Sequence, residues 1–152
     1  KVTFNPEQIG SPEIYFGSDR NERFENGQRF TSGRQSLPEP DRIVKNALYL
    51  SGEWDIQPEY AKNTSGQAKI IFRYKAKQVN IVASADEPIS ITILRDGQPV
   101  GNAAGTDVVN GVLTVDEDTI YEVVNDPSGY SEHTLEMIIE DPGLMAFTFT
   151  FG

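Results

Sequence analysis

The closing stretch of the chain, HTLEMIIEDPGLMAFTFTFG over residues 133–152, constrains the fold more than any other. Leu135, Met137 and Ile139 alternate with Glu136, Ile138 and Glu140, and after Asp141-Pro142-Gly143 the residues Phe147, Phe149 and Phe151 alternate with Thr148 and Thr150. A period of two puts each set on one face of an extended chain, so the pattern predicts a half-buried strand, a tight turn and a second strand. Three phenylalanines on the last strand place the end of the chain in the core, where termini usually fray. The expected class is all-β.

The upstream sequence repeats this grammar. Strands are predicted near 47–56, 58–63, 67–75, 78–84, 88–95, 106–109, 111–115, 119–124, 133–140 and 144–151, with one short strand at Glu13–Phe16. Asp96-Gly97 and Asn110-Gly111 carry the residue types of a type I′ hairpin turn, which needs positive φ at both central positions. Short strands at this spacing, without a helical period, predict a jelly-roll-like antiparallel β-sandwich. Residues 1–45 are polar and rich in Gly, Pro, Asn and Arg, with scattered aromatics at Phe4, Tyr15, Phe16, Phe24 and Phe30. Those aromatics need something to pack against, so the segment reads as an ordered but irregular N-terminal arm. The expected organisation is a linker remnant over 1–12, the arm over 13–45 and the sandwich over 46–152.

At 152 residues the chain suits one domain with a real core. No run approaches the ~18 apolar residues of a membrane span, so membrane insertion is not expected. Lys1, in place of an initiator Met, reads as a cut inside a longer protein or after a removed leader. The absence of cysteine excludes disulfides, thiolate metal sites and thiol catalysis. Net charge is −10. Residues 1–45 hold seven Lys/Arg against seven Asp/Glu, and residues 46–152 hold six against sixteen, so the excess lies in the predicted sandwich. An acidic body argues against nucleic acid, which requires a basic footprint.

Several short motifs occur in a fixed order: Pro12-Glu13-Ile14-Tyr15-Phe16-Gly17, Leu50-x-Gly52-x-Trp54, Ala76-Lys77-x-Val79, Arg95-Asp96-Gly97 and the closing Phe147-x-Phe149-x-Phe151-Gly152. Together they resemble the C-terminal module of DipZ-type proteins, the thioredoxin-like thiol–disulfide oxidoreductases of bacterial envelopes. The resemblance runs from about Ser11 to Gly152. It implies a β-sandwich similar to carbohydrate-binding modules, a thioredoxin-like domain of the parent chain as partner, and an extracytoplasmic home. The family's redox chemistry belongs to a CxxC pair in the thioredoxin-like domain. This chain has no cysteine, so no redox residue carries over and no cofactor is expected.

Sugar-binding modules hold pyranose rings on aromatic platforms, with polar neighbours catching the hydroxyls. Trp54, the single tryptophan, is a candidate platform, although Leu48, Leu50, Gly52, Trp54 and Ile56 share the parity of a core face. Tyr49 has the opposite parity and is the expected exposed aromatic of that strand. Tyr60, Tyr121 and Tyr130 are further candidates, set against simple packing at loop edges. Lys69, Arg73, Lys75 and Lys77 form a basic stripe opposite the core-like Ala68, Ile70, Phe72 and Tyr74. Such a stripe could bind an anionic group or dock a partner, form a solvated strand face balanced by neighbouring carboxylates, or blunt an edge strand. The ligand-binding candidates are therefore Tyr49, Trp54, Arg73, Lys75 and Lys77.

Other features point to less. Asp116-Glu117-Asp118 is a dense carboxylate turn, but calcium takes six to eight oxygens, so it reads first as a solvated hairpin tip. His133, the only histidine, shows no nucleophile or metal partner in sequence. Asn63-Thr64-Ser65 matches a glycosylation sequon but equally reads as turn chemistry. No acid pair is singled out for hydrolysis. The leading expectation is a non-catalytic binding module tethered to an oxidoreductase, its ligand a carbohydrate or an envelope polymer. The alternatives are a structural module that packs on the thioredoxin-like domain or mediates dimerisation, and a jelly-roll hydrolase.

Overall fold

A computed structural model describes residues 3–152; the expected cut at Lys1 and the first two residues of the expected linker lie outside them. The strands are β1 (Ile14–Tyr15), β2 (Gly33–Leu37), β3 (Leu48–Ile56), β4 (Ala61–Asn63), β5 (Ala68–Ala76), β6 (Gln78–Ser84), β7 (Ile89–Arg95), β8 (Gln98–Pro99), β9 (Val108–Val109), β10 (Val112–Val115), β11 (Thr119–Asn125), β12 (Ser131–Ile139) and β13 (Met145–Phe151). Single 3-10 turns lie at Pro6–Gln8 and Gly101–Ala103. Among the described residues no helix is long and apolar enough to cross a membrane.

Antiparallel ladders link the strands into a 13-stranded sheet, which doubles over into an all-β sandwich. The front layer runs β11-β6-β13, continues through β1 and β4 side by side on the other edge of β13, and ends on β3 and β2. The back layer runs β3-β5-β12-β7-β10-β9, with β8 beside β10 on β7. β3 belongs to both: Leu48–Ser51 pair with β5, whereas Trp54–Ile56 pair with β4. The strand turns between layers at Gly52, whose φ of +97° disfavours any side chain. A Cβ there would also lie 3.1 Å from the Cβ of Ala68.

The two layers bury Leu50, Trp54, Ile70, Phe72, Ile81, Ile91, Leu135, Met137 and Phe149, each at most 1% exposed. Phe149 anchors an aromatic group, its ring 5.3 Å from Phe16, 5.7 Å from Phe72 and 6.0 Å from Phe151. The Asp-Gly and Asn-Gly turns adopt the expected geometry, with φ of 54° and 77° at Asp96 and Gly97 and 51° and 78° at Asn110 and Gly111.

Three sequence expectations need correction. Phe147 does not share the inward face of Phe149, because a β-bulge interrupts the β13–β6 register between Ala146 and Thr148. The extra residue flips the parity of the strand, so Ala146 and Phe149 both point inward and Phe147 is left on the outer face. Strand β2 was not expected, because Gly-Arg-Gln-Ser-Leu has no apolar alternation; it is a polar edge strand held by β3. Tyr49 is only 3% exposed. The segment preceding β3 lies over the outer face of β3 and β5, where Ile43 packs on Ala47, Tyr49 and Ile71, and the Val44 amide donates to the Tyr49 hydroxyl at 3.0 Å. Phe16 and Phe24 from the polar N-terminal segment also enter the main core.

Candidate ligand-binding groove

Where the front layer meets the N-terminal segment, three separate stretches line a groove of about 240 Å³. Its walls are Tyr15 on β1, Asp19 and Arg20 just beyond it, Glu59 in the β3–β4 connection, and Phe147 at the bulge. Backbone hydrogen bonds fix these stretches together: Phe16 donates to the Phe147 carbonyl at 3.0 Å, Ser18 to Gln57 at 2.9 Å and Asp19 to Pro58 at 3.0 Å. Gly17 permits this approach, since a Cβ there would stand 2.3 Å from the Pro58 carbonyl oxygen.

The groove combines apolar faces with polar groups. Phe147 packs on Tyr60 with ring centroids 5.2 Å apart. The Arg20 guanidinium lies 3.7 Å from the centroid of the Tyr15 ring, a cation–π contact. Among the described residues Arg20 has no carboxylate at ion-pair distance. The Tyr15 hydroxyl donates to Glu13 at 2.7 Å, and this bond to a carboxylate raises the phenol above its ordinary pKa. Aromatic faces bordered by carboxylates, a guanidinium and a phenol can stack a sugar ring and exchange hydrogen bonds with its hydroxyls.

The residues singled out from sequence lie elsewhere. Trp54 is fully buried, and its indole N–H is satisfied by the Ser51 carbonyl at 2.8 Å, so the parity of a core face describes it and no platform is presented. Tyr49 is covered as described above. The basic stripe exists as a half-exposed row in which two cations are ion-paired and two donate to neutral oxygens. Lys69 contacts Glu39 at 2.5 Å and Glu136 at 2.9 Å. Their hydrogen bonds raise its pKa, Glu39 foremost. Arg73 pairs with Glu132 at 2.6 Å. Lys75 donates to the Gln8 carbonyl at 2.8 Å and Lys77 to Asn125 at 2.8 Å. Tyr60 was weighed from sequence and lies beside the groove; Tyr15 and Phe147 were not chosen as ligand contacts. The signal for Phe147 was the parity break between Ala146 and Phe149, which marks a bulge.

A second polar cluster closes one end of the sandwich. Arg95 donates to Asp126 at 2.5 Å, and the Ser128 hydroxyl donates to the same carboxylate at 2.6 Å. His133 Nδ1 lies 2.5 Å from an Asp96 carboxylate oxygen, and its Nε2 shares a hydrogen bond with the Ser131 hydroxyl at 2.7 Å. Burial pulls the Asp96 and Asp126 carboxyls upward, but their hydrogen bonds and Arg95 outweigh it and hold both below the usual range. Burial pushes the Tyr74 hydroxyl up to about 12. Ser131, His133 and Asp96 are connected like a nucleophile, base and orienting acid. Ser131 and His133, however, follow the inward register of Leu135 and Met137 on β12, and Asp126 stands 3.7 Å from the same Nε2. The cluster is accordingly a polar plug that ties β12 to two turns.

The remaining candidates have structural duties. Tyr121 threads the carboxylate turn, accepting from the Glu117 amide at 3.0 Å and donating to the Glu117 carbonyl at 2.9 Å. Among the described residues no group of three His, Cys, Asp or Glu is placed to hold a metal ion. Asn63 of the sequon is 0% exposed, and its side chain binds Ser65, Asp141 and Leu144.

The chain is similar to the protein DipZ of Mycobacterium bovis and that of Mycobacterium tuberculosis, at 29% identity over 147 residues in each case. The match covers 97% of this chain but 19% of each relative, so the chain spans about a fifth of their length. The family described as the thioredoxin-like C-terminal domain matches residues 11–152, and the chain belongs to that family.

Proposed function

We propose that the chain is a non-catalytic accessory module of an extracytoplasmic thiol–disulfide oxidoreductase, and that it binds carbohydrate in the groove between Tyr15 and Phe147. Family membership supports the accessory role. The observation that carries the binding reading is the bulge, which takes Phe147 from the core face and sets it beside Tyr15, Asp19, Arg20 and Glu59. A bulge is a common device for re-aiming a side chain next to a site. Tethered to a thioredoxin-like domain, such a module raises the local concentration of the enzyme at a glycan surface by linkage alone. In the basic row, by contrast, Lys69 and Arg73 pair with the carboxylates of neighbouring segments and Lys75 and Lys77 tie down the Gln8 carbonyl and Asn125.

Calorimetric titration with soluble glycans, after a glycan-array screen, tests this. Wild-type protein is expected to bind. Tyr15→Ala and Phe147→Ala should each weaken binding about tenfold, the worth of one lost aromatic contact. Lys75→Ala should leave it unchanged. Absence of binding to any glycan, with and without an attached thioredoxin-like domain, would refute the reading.

A further inference from the structure

The outer face of the front layer differs from the rest of the molecule. Cross-strand registers put Tyr15 opposite Thr148, Thr148 opposite Val82 and Val82 opposite Ile120, so these four form one outward row across β1, β13, β6 and β11. Beside it, Thr150 lies opposite Asn80, with Nδ2 donating to Oγ1 at 3.4 Å. Neither the row nor the Thr150–Asn80 pair contains a charged residue, although the protein carries a net −10. Four charged outward residues of this layer, Arg34, Glu53, Asp55 and Lys62, lie on the opposite half, over β2, β3 and β4. Glu122, at the outer edge, is already engaged by the Gln78 amide and the Thr106 N–H.

From this continuity with the groove we infer that the ligand is an extended, uncharged polysaccharide chain, with one ring in the groove and the following rings laid over Thr148 and Val82 toward Ile120. The inference rests on the carbohydrate reading above and specifies its ligand. At the ordinary strand spacing, three steps from β1 to β11 cover roughly 14 Å, more than a single pyranose ring fills. The row offers what an uncharged glycan presents in return. The Thr148 methyl, Val82 and the 55%-exposed Ile120 meet C–H faces, and the Thr150 hydroxyl and Asn80 amide meet ring hydroxyls. Beyond Arg20 in the groove itself, an anionic polymer would find no cation along Thr148, Val82 and Ile120 and a net negative body around them.

The test is a titration series of uncharged β-1,4-linked glucose and N-acetylglucosamine oligomers, from disaccharide to hexasaccharide, against wild type, Tyr15→Ala and Ile120→Ser. Affinity is expected to rise about tenfold between the shortest and longest oligomers, as the added rings cover Val82 and Ile120. Ile120→Ser should remove most of that rise while leaving disaccharide binding intact, with melting temperature confirming that the variant is folded. Length-independent affinity that is lost in Tyr15→Ala and unaltered in Ile120→Ser would overturn the extended-chain inference and leave the groove reading standing. Selective binding of uronic-acid polymers would overturn the uncharged-ligand inference alone. Failure of every glycan to bind would overturn both readings.

Discussion

The indole N–H of Trp54 reaches back three residues along its own strand to the Ser51 carbonyl, at 2.8 Å, spanning the bend at Gly52. This one contact satisfies the polar atom of the largest core side chain and holds the bend by which β3 passes between layers. Trp54→Ala should lose about 3–5 kcal/mol through its cavity and the orphaned carbonyl. Urea unfolding followed by far-UV circular dichroism, which needs no tryptophan, measures the loss.

Asn63 joins the β4–β5 and β12–β13 connections. Its Oδ1 accepts from Leu144 at 2.7 Å and Gly143 at 3.2 Å, and its Nδ2 donates to Ser65 at 2.9 Å and Asp141 at 3.0 Å. Asn63→Ala would orphan the buried Leu144 amide and remove the side-chain partner of the Ser65 and Asp141 carbonyls, while the Gly143 amide keeps the Asn63 carbonyl at 2.9 Å, and should cost about 2 kcal/mol. The same burial predicts that folded protein offered to an oligosaccharyltransferase gains no glycan here, which intact-mass spectrometry would show.

Asp96 and Asp126 give stability a defined pH dependence. Both carboxyls are depressed in the folded state, so below the unfolded value near 3.9 the unfolded chain binds more protons than the folded one. Their stabilisation is complete above that value and disappears as pH falls through the folded values. The denaturation midpoint should therefore drop steeply on acidification below about pH 4. Asp96→Asn should flatten that slope while lowering stability at neutral pH.

Tyr49 measures how firmly the segment before β3 is held. Tyr49→Phe removes the acceptor for the Val44 amide while keeping the ring packed on Ile43. It should cost about 1 kcal/mol. Limited proteolysis should then cut near residue 43 sooner than in wild type, with the sandwich core intact.

Much of the fold was legible because its determinants are local. Period-two runs mark β5, β6, β7 and β12, and Asp-Gly and Asn-Gly mark two hairpins through their backbone requirements alone. The misjudged residues depend on something distant in sequence. Tyr49 has the parity of an exposed residue, but Ile43 and Val44 fold back over it. Phe147 has the parity of a core residue, but the bulge shifts it outward. The stripe from Lys69 to Lys77 is real as a row, and balance by nearby carboxylates was one reading of it; the partners of Lys69 and Arg73, namely Glu39, Glu132 and Glu136, come from other stretches and could not be named in advance. The groove is built from residues near 15, 20, 59 and 147, a constellation with no sequence periodicity.

Because β3 supplies hydrogen-bonding edges to both layers, neither layer can open while the other persists. Its first half zips to β5 and its second half to β4 and β2. The sandwich should therefore behave as a single cooperative unit. In native-state hydrogen exchange, slow amides of β5 in the back layer and of β6 in the front layer should converge on one opening free energy as denaturant is added.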